Sequence, residues 1–138
     1  MSIHFIKSGE LSALRVRLAE GGFKTYEVDC SDVGDKTSFF EAAMQDLPMG
    51  DASFDPDQQW RFPSGWDAFC DFLWQGLNEN KDTSVAILLL NVQKLTGGRS
   101  LTIEEIVQCF AQVADAVRVE DKFAGIPGIS LQIYLVNP

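Results

Sequence analysis

The 138-residue chain has a single histidine, His4, in a short β-prone piece near its start. A Ser-His-Asp or Cys-His site would have to use that one imidazole, and a lone histidine in an edge strand is ordinarily inert. No P-loop and no G-x-G-x-x-G occurs; Gly21-Gly22 and Gly97-Gly98 read as helix stops or turns. There are three cysteines, Cys30, Cys70 and Cys109, set far apart with no C-x-x-C. That spacing argues against a disulfide framework and against a zinc site, and leaves buried, reduced thiols as the expectation. The longest aliphatic run, residues 85–90, is far too short to span a bilayer. The first residues, MSIHFIKSGELS, lack the apolar centre of a signal peptide. A cytoplasmic protein with no metal, no cofactor and no membrane contact is expected. Basic residues are also scarce: 11 Lys and Arg against 20 Asp and Glu give a formal net charge of −9. With no basic stripe, direct binding to nucleic acid is not expected, whereas basic proteins should be attracted.

What is present suits one domain over residues 1–138. Hydrophobic types make up 46% of the chain, enough for one core, and there are no repeats or linkers. Residues 3–7 read as an edge strand or arm. Leu11, Leu14 and Leu18 recur at helical spacing until Gly21-Gly22 stops them. Residues 23–30 alternate as a strand. Ser38 and Glu41 have capping-box spacing before a helix marked by Phe39, Phe40, Ala43 and Leu47, which Pro48 ends. Residues 49–60 carry Asp51, Asp55 and Asp57 but not the D-x-D-x-D-G calcium loop, so they read as an acidic surface loop. Residues 84–90 are continuously apolar, the mark of a strand buried on both faces. Thr102 and Glu105 have capping-box spacing before a long amphipathic helix, and residues 129–136 form a last strand after a turn at 125–128. Helices between the strands predict a parallel sheet, with 84–91 central between 23–30 and 129–136.

The most informative stretch is RFPSGWDAFCDFLWQGLN, residues 61–78. At about 100° per residue, Phe69, Phe72, Leu73 and Gly76 fall on one side, flanked by Trp66, Cys70 and Leu77. Asp67, Asp71, Trp74 and Asn78 fall opposite, within a sector of roughly 60°. Ser64 has the S-x-x-D spacing to cap this helix, and Asp67 in its first turn suits the helix dipole. Asp71 has no such local explanation. Two carboxylates four residues apart repel by roughly 0.2–0.5 kcal/mol. Such a face is either merely solvated or shaped for a cationic partner. As an acid–base pair the two aspartates are held too close together to flank most substrates. Asp29, Asn91 and Asn137 each follow a predicted strand, at the rim where parallel sheets bind ligands, though polar residues commonly end strands.

The segment FPSGWDAFCDFLWQGL resembles the motif of the barstar family, an aromatic and a Gly-Asn leading into a helix of the pattern W/L-D-A-L-x-D-x-L. Upstream, GGFKTYEVDCSDVGDKTSFFEAAMQDLP is similar to the family's first strand, loop and helix, including an Asp-Lys before the helix. The order of later elements also fits, so the resemblance covers about residues 11–136. It implies an α/β fold with a small parallel three-stranded sheet packed with helices, here with an extra N-terminal strand as an option. It implies an inhibitor or immunity protein, not an enzyme, that binds a basic protein such as a secreted ribonuclease or another toxin. Carried over by motif, Asp67 and Asp71 match the two helical aspartates of the inhibitory face, with Trp66, Trp74, Asn78 and Gln112 as further partner-binding residues. The sequence departs from the family pattern at Pro63, at Ser64-Gly65, at Cys70 in place of a contacting Trp, and at Gln112 in place of an acidic residue. A regulatory interaction module that keeps this fold without inhibiting a nuclease is the alternative.

Overall fold

The computed structural model describes residues 2–49, 63, 65–80, 82–92, 103–119 and 128–137. Four strands and four helices follow one another: β1 (Ile3–Lys7), α1 (Leu11–Glu20), β2 (Lys24–Asp29), α2 (Lys36–Asp46), α3 (Trp66–Glu79), β3 (Ser84–Leu90), α4 (Ile103–Arg118) and β4 (Ser130–Asn137). A 3-10 turn, Ser8–Glu10, joins β1 to α1. The strands form one parallel sheet in the order β1-β4-β3-β2. β3 lies between β2 and β4, as its apolar run requires. The sheet has four strands where the resemblance implies three: Ile3–Lys7 is a true edge strand, in register with Ile133–Asn137 of β4.

The sheet separates two cores. Alternate side chains of β3 point to opposite faces. Val85, Ile87 and Leu89 enter the larger core with α2, α3 and α4, and Ala86 and Leu88 meet Leu14 and Leu18 of α1. All five of these β3 residues are buried, so no polar face is left on this strand. Four phenylalanines organise the larger core. Phe69 of α3 stacks on Phe40 of α2 at 5.0 Å and meets Phe110 of α4 edge-on at 6.0 Å, while Phe39 contacts all three. Such pairs add roughly 0.5–1.5 kcal/mol beyond the area they bury. Cys30 is buried at the end of β2, and burial, with Asp29 beside it, pushes its thiol up to about 12. It is protonated and unreactive at neutral pH.

α2 begins one turn earlier than the Ser38–Glu41 spacing suggests. Asp35 is the cap: its carboxylate accepts from the Ser38 amide at 2.8 Å, and the Ser38 hydroxyl accepts from the Asp35 amide at 3.1 Å. Asp-x-x-Ser and Ser-x-x-Glu overlap here, and the earlier box prevails because it adds a turn to the helix. The Ser64 cap and the Thr102–Glu105 box rest on residues outside those described, as does the acidic loop from residue 50 onward; Gly65 holds the N-cap position of α3. The Ser38 backbone amide, then its hydroxyl, holds the Asp35 carboxyl below its ordinary value of 3.8. A carboxyl depressed in the folded state contributes stability above its unfolded pKa and loses it as pH falls through the folded value. Asp35→Asn keeps the acceptor but does not titrate. Its melting temperature is therefore expected to fall less than that of wild type between pH 5 and pH 2, as followed by circular dichroism.

At the carboxyl end of the sheet, Asn91 adopts φ 60°, and its side-chain amide donates to Asp29 at 2.9 Å. The same Asp29 oxygen accepts from the Ser31 amide at 3.0 Å. These two rim residues tie off the ends of β2 and β3. His4 stacks on Tyr134 of β4 at 4.9 Å, and its Nε2 lies 2.8 Å from the side-chain oxygen of Gln132.

Candidate functional site

α3 and α4 pack side by side over the larger core, and the seam between them opens as a groove. Its first half, about 200 Å³, is lined by Trp66, Asp67, Cys70, Glu105, Gln108, Cys109 and Gln112. The second half, about 400 Å³, is lined by Cys70, Asp71, Trp74, Gln112, Val113 and Ala116. Cys70 and Gln112 belong to both, so the groove is continuous across them.

Helical periodicity places each α3 wall residue. Phe69, Leu73, Gly76 and Leu77 are buried, which turns Asp67, Asp71 and Trp74 outward one turn apart. Trp74 is 38% exposed, with its ring along the groove rather than in the core. Asp67 and Asp71 are exposed, and among the described residues neither makes a hydrogen bond or an ion pair. The described lengths of α3 and α4 hold six carboxylates, Asp67, Asp71, Glu79, Glu104, Glu105 and Asp115, against one cation, Arg118. Arg118 already lies 4.0 Å from Asp115, one turn away on its own helix. Among the described residues the groove therefore has acidic walls and no cation lining it, an arrangement that lowers the electrostatic cost of bringing in an external cation.

The six residues singled out from sequence do not all serve the groove equally. Asp67, Asp71, Trp74 and Gln112 line it. Trp66 does so with one edge only: its ring packs against Phe39, Phe40 and Phe69, and its indole N–H donates to Glu105 at 3.2 Å. It braces α3 against α4. Asn78 lies one turn past Trp74, and its side chain turns back to donate to the Trp74 carbonyl at 2.9 Å. Sequence reasoning missed Glu105 and Gln108 on the α4 wall, along with the apolar pair Val113 and Ala116. The polar spacing Glu105, Gln108, Gln112 on α4 carries the signal, but only the packing shows that this stripe faces α3.

The expectation for the thiols holds for the buried, free Cys30 and for the burial of Cys109, and requires correction at Cys70 and at its pairing with Cys109. Cys70 is half-buried rather than buried, and it is paired with Cys109 as a disulfide that joins α3 to α4 beneath the groove, with the Cα atoms 6.2 Å apart. Residues separated by 39 positions meet because both flank the apolar faces of two helices that pack together. Native protein is expected to give no rapid reaction with a thiol reagent. After mild reduction Cys70 should label first, from the groove, while Cys30 stays silent until the chain is unfolded. Mass spectrometry of the labelled peptides checks this order.

Among the described residues no three His, Cys, Asp or Glu side chains converge as a metal site, and no helix is long and apolar enough to cross a membrane. Compared with protein-family models, with curated proteins and with solved structures, the chain matches none.

Proposed function

We propose that this chain is a barstar-like inhibitor or immunity protein. It would act by binding, not catalysis, and seat a basic protein, of the secreted ribonuclease or toxin kind, in the α3–α4 groove. The observation that carries the proposal is the pair of exposed carboxylates Asp67 and Asp71 beside Trp74, which among the described residues have no partner and lie on a groove lined by no cation. A nuclease active site holds Arg and Lys to grip phosphate, and carboxylates on one rigid helix can take the place of that phosphate. The parallel sheet with β3 at its centre, and the order of helices around it, fit a barstar-like fold that has gained β1. A cytoplasmic location belongs to the same proposal, and in a reducing compartment Cys70 and Cys109 would stand as two thiols.

The alternative, a regulatory interaction module without nuclease inhibition, draws on one feature. Cys70 is tied into the groove floor by Cys109, where the family pattern has a large contacting aromatic. The test is titration calorimetry of the chain against a small, basic secreted ribonuclease at low and high salt, with an assay of RNA cleavage alongside. Salt-sensitive binding with loss of cleavage supports inhibition. Absence of binding to the ribonuclease, with salt-sensitive capture of a different basic protein, selects the module.

A further inference from the structure

We infer that the outer edge of β1 is a self-association surface, on which two copies of this chain pair their β1 strands antiparallel about a two-fold axis at His4, turning two four-stranded sheets into one of eight strands. This inference is independent of the α3–α4 groove and of any partner bound there.

The direction of the backbone groups comes first. The Ser2 carbonyl accepts from the Ile133 amide of β4 at 2.8 Å. Backbone groups in a strand alternate sides, so those of Ser2, His4 and Ile6 face β4, and those of Ile3, Phe5 and Lys7 face outward. The Lys7 amide is already engaged by the Glu10 carboxylate at 3.1 Å. Ile3 and Phe5 are left with an outward amide and carbonyl each, and no strand among the described residues pairs with that side of β1.

The side chains point the same way. Exposed edges are usually guarded by charge, proline or a bulge. The opposite edge, β2, is guarded: Lys24 and Asp29 stand at its ends, and Glu27 is bridged to Arg15. From Ser2 to Ile6 the β1 edge carries no charge and no proline, and Phe5 is 61% exposed.

A second copy fits this edge without adjustment of its pattern. With His4 opposite His4, Ile3 of each copy lies opposite Phe5 of the other. Both members of each such pair have outward backbone groups, so the four free groups on each edge are all satisfied. The same register sets each exposed Phe5 ring beside the partner's Ile3, a favourable cross-strand pair. Such a contact is isologous and closed, so it ends at the dimer. Charge does not oppose it. Lys7, Arg15, Arg17 and Lys24 balance Glu10, Glu20, Glu27 and Asp29, so the net charge of −9 resides in residues 30–138.

Sedimentation equilibrium from about 5 to 500 µM tests the inference, with hydrogen exchange of the Ile3 and Phe5 amides as the local readout. Wild type is expected to move from 15.3 kDa toward twice that mass over this range, with both amides slowing as it does. Phe5→Lys should weaken association at least tenfold. Phe5→Pro, which removes only an outward donor and leaves the ladder to β4 intact, should do the same. Both should melt within a few degrees of wild type when compared as monomers at the lowest concentration. A wild type that stays at 15.3 kDa throughout overturns the inference. So does a dimer that both variants leave unchanged, since association would then use another surface.

Discussion

Gly76→Ala is expected to destabilise the fold by about 3 kcal/mol or more and to lower its melting temperature by roughly 10 °C. In an ordinary exposed helix the same change stabilises by about 1 kcal/mol, because glycine is the costlier residue there. Gly76 sits in the interior of α3 on its buried face. A Cβ added to it would fall 1.6 Å from the Pro48 carbonyl oxygen, 2.4 Å from the Pro48 carbonyl carbon and 2.8 Å from that of Met49. All three are backbone atoms of the chain leaving α2, so no side-chain rotation relieves the overlap. Either α3 moves away from the Phe40–Phe69 stack or the 48–49 segment leaves its seat. Gly34→Ala is the control, because a Cβ there meets nothing within 4 Å. Its stability should stay equal or rise by a few tenths of a kcal/mol. Chemical denaturation of both variants checks the pair. Recovery of Gly76→Ala stability on trimming Met49 to Ala would show that the conflict lies with a side chain and not with the backbone.

The same glycine shows how far the sequence can be read. Its place on the apolar face of α3 follows from spacing alone. The reason it must be glycine does not, because the atoms it spares belong to a segment nearly thirty residues earlier. The presence and order of the helices and the central place of β3 were legible, since each is written in a local period or a local apolar run, while the start of α2 was not, because two capping boxes overlap there. β1 was legible as an edge strand or arm, but its neighbour was not: IHFIK has no local partner, and its contact to β4 joins residues 128 apart, as His4 and Gln132 do. The Cys70–Cys109 bridge and the α4 wall of the groove were hidden for one common reason. A helical projection shows which residues leave the core, but not which neighbouring helix the flanks will meet. Asp67, Asp71 and Trp74 were legible because they lie on the side of α3 farthest from its buried stripe, where the neighbour matters least.

Asp71→Ala is expected to weaken binding of a basic partner by more than about 2 kcal/mol, roughly thirtyfold in Kd, while leaving the fold intact. Asp71 is exposed, and among the described residues it has no intramolecular hydrogen bond or ion pair to lose. Its whole effect should therefore appear in binding. The gross attraction of two unit charges at about 4 Å is roughly 4 kcal/mol at an effective dielectric of ~20, and desolvation of both groups subtracts from it. An arginine on the partner does best, because its fork takes a carboxylate bidentately and its flat face can rest on Trp74. Asp67 lies in the first turn of α3, where its charge already favours the helix dipole by roughly 0.3–1 kcal/mol. Asp67→Ala should thus divide its effect, with a smaller loss of binding and a small fall in melting temperature. The two substitutions share one groove and are not expected to add independently. Salt separates contact from steering: raising ionic strength should slow association for wild type and for both variants, because most of the net charge remains. The dissociation rate should rise mainly in Asp71→Ala. Surface plasmon resonance at two salt concentrations, with thermal melts of each protein, gives all four quantities. If Asp71→Ala binds as wild type does, the partner does not use this helix face, and the groove loses its claim to the function proposed for it.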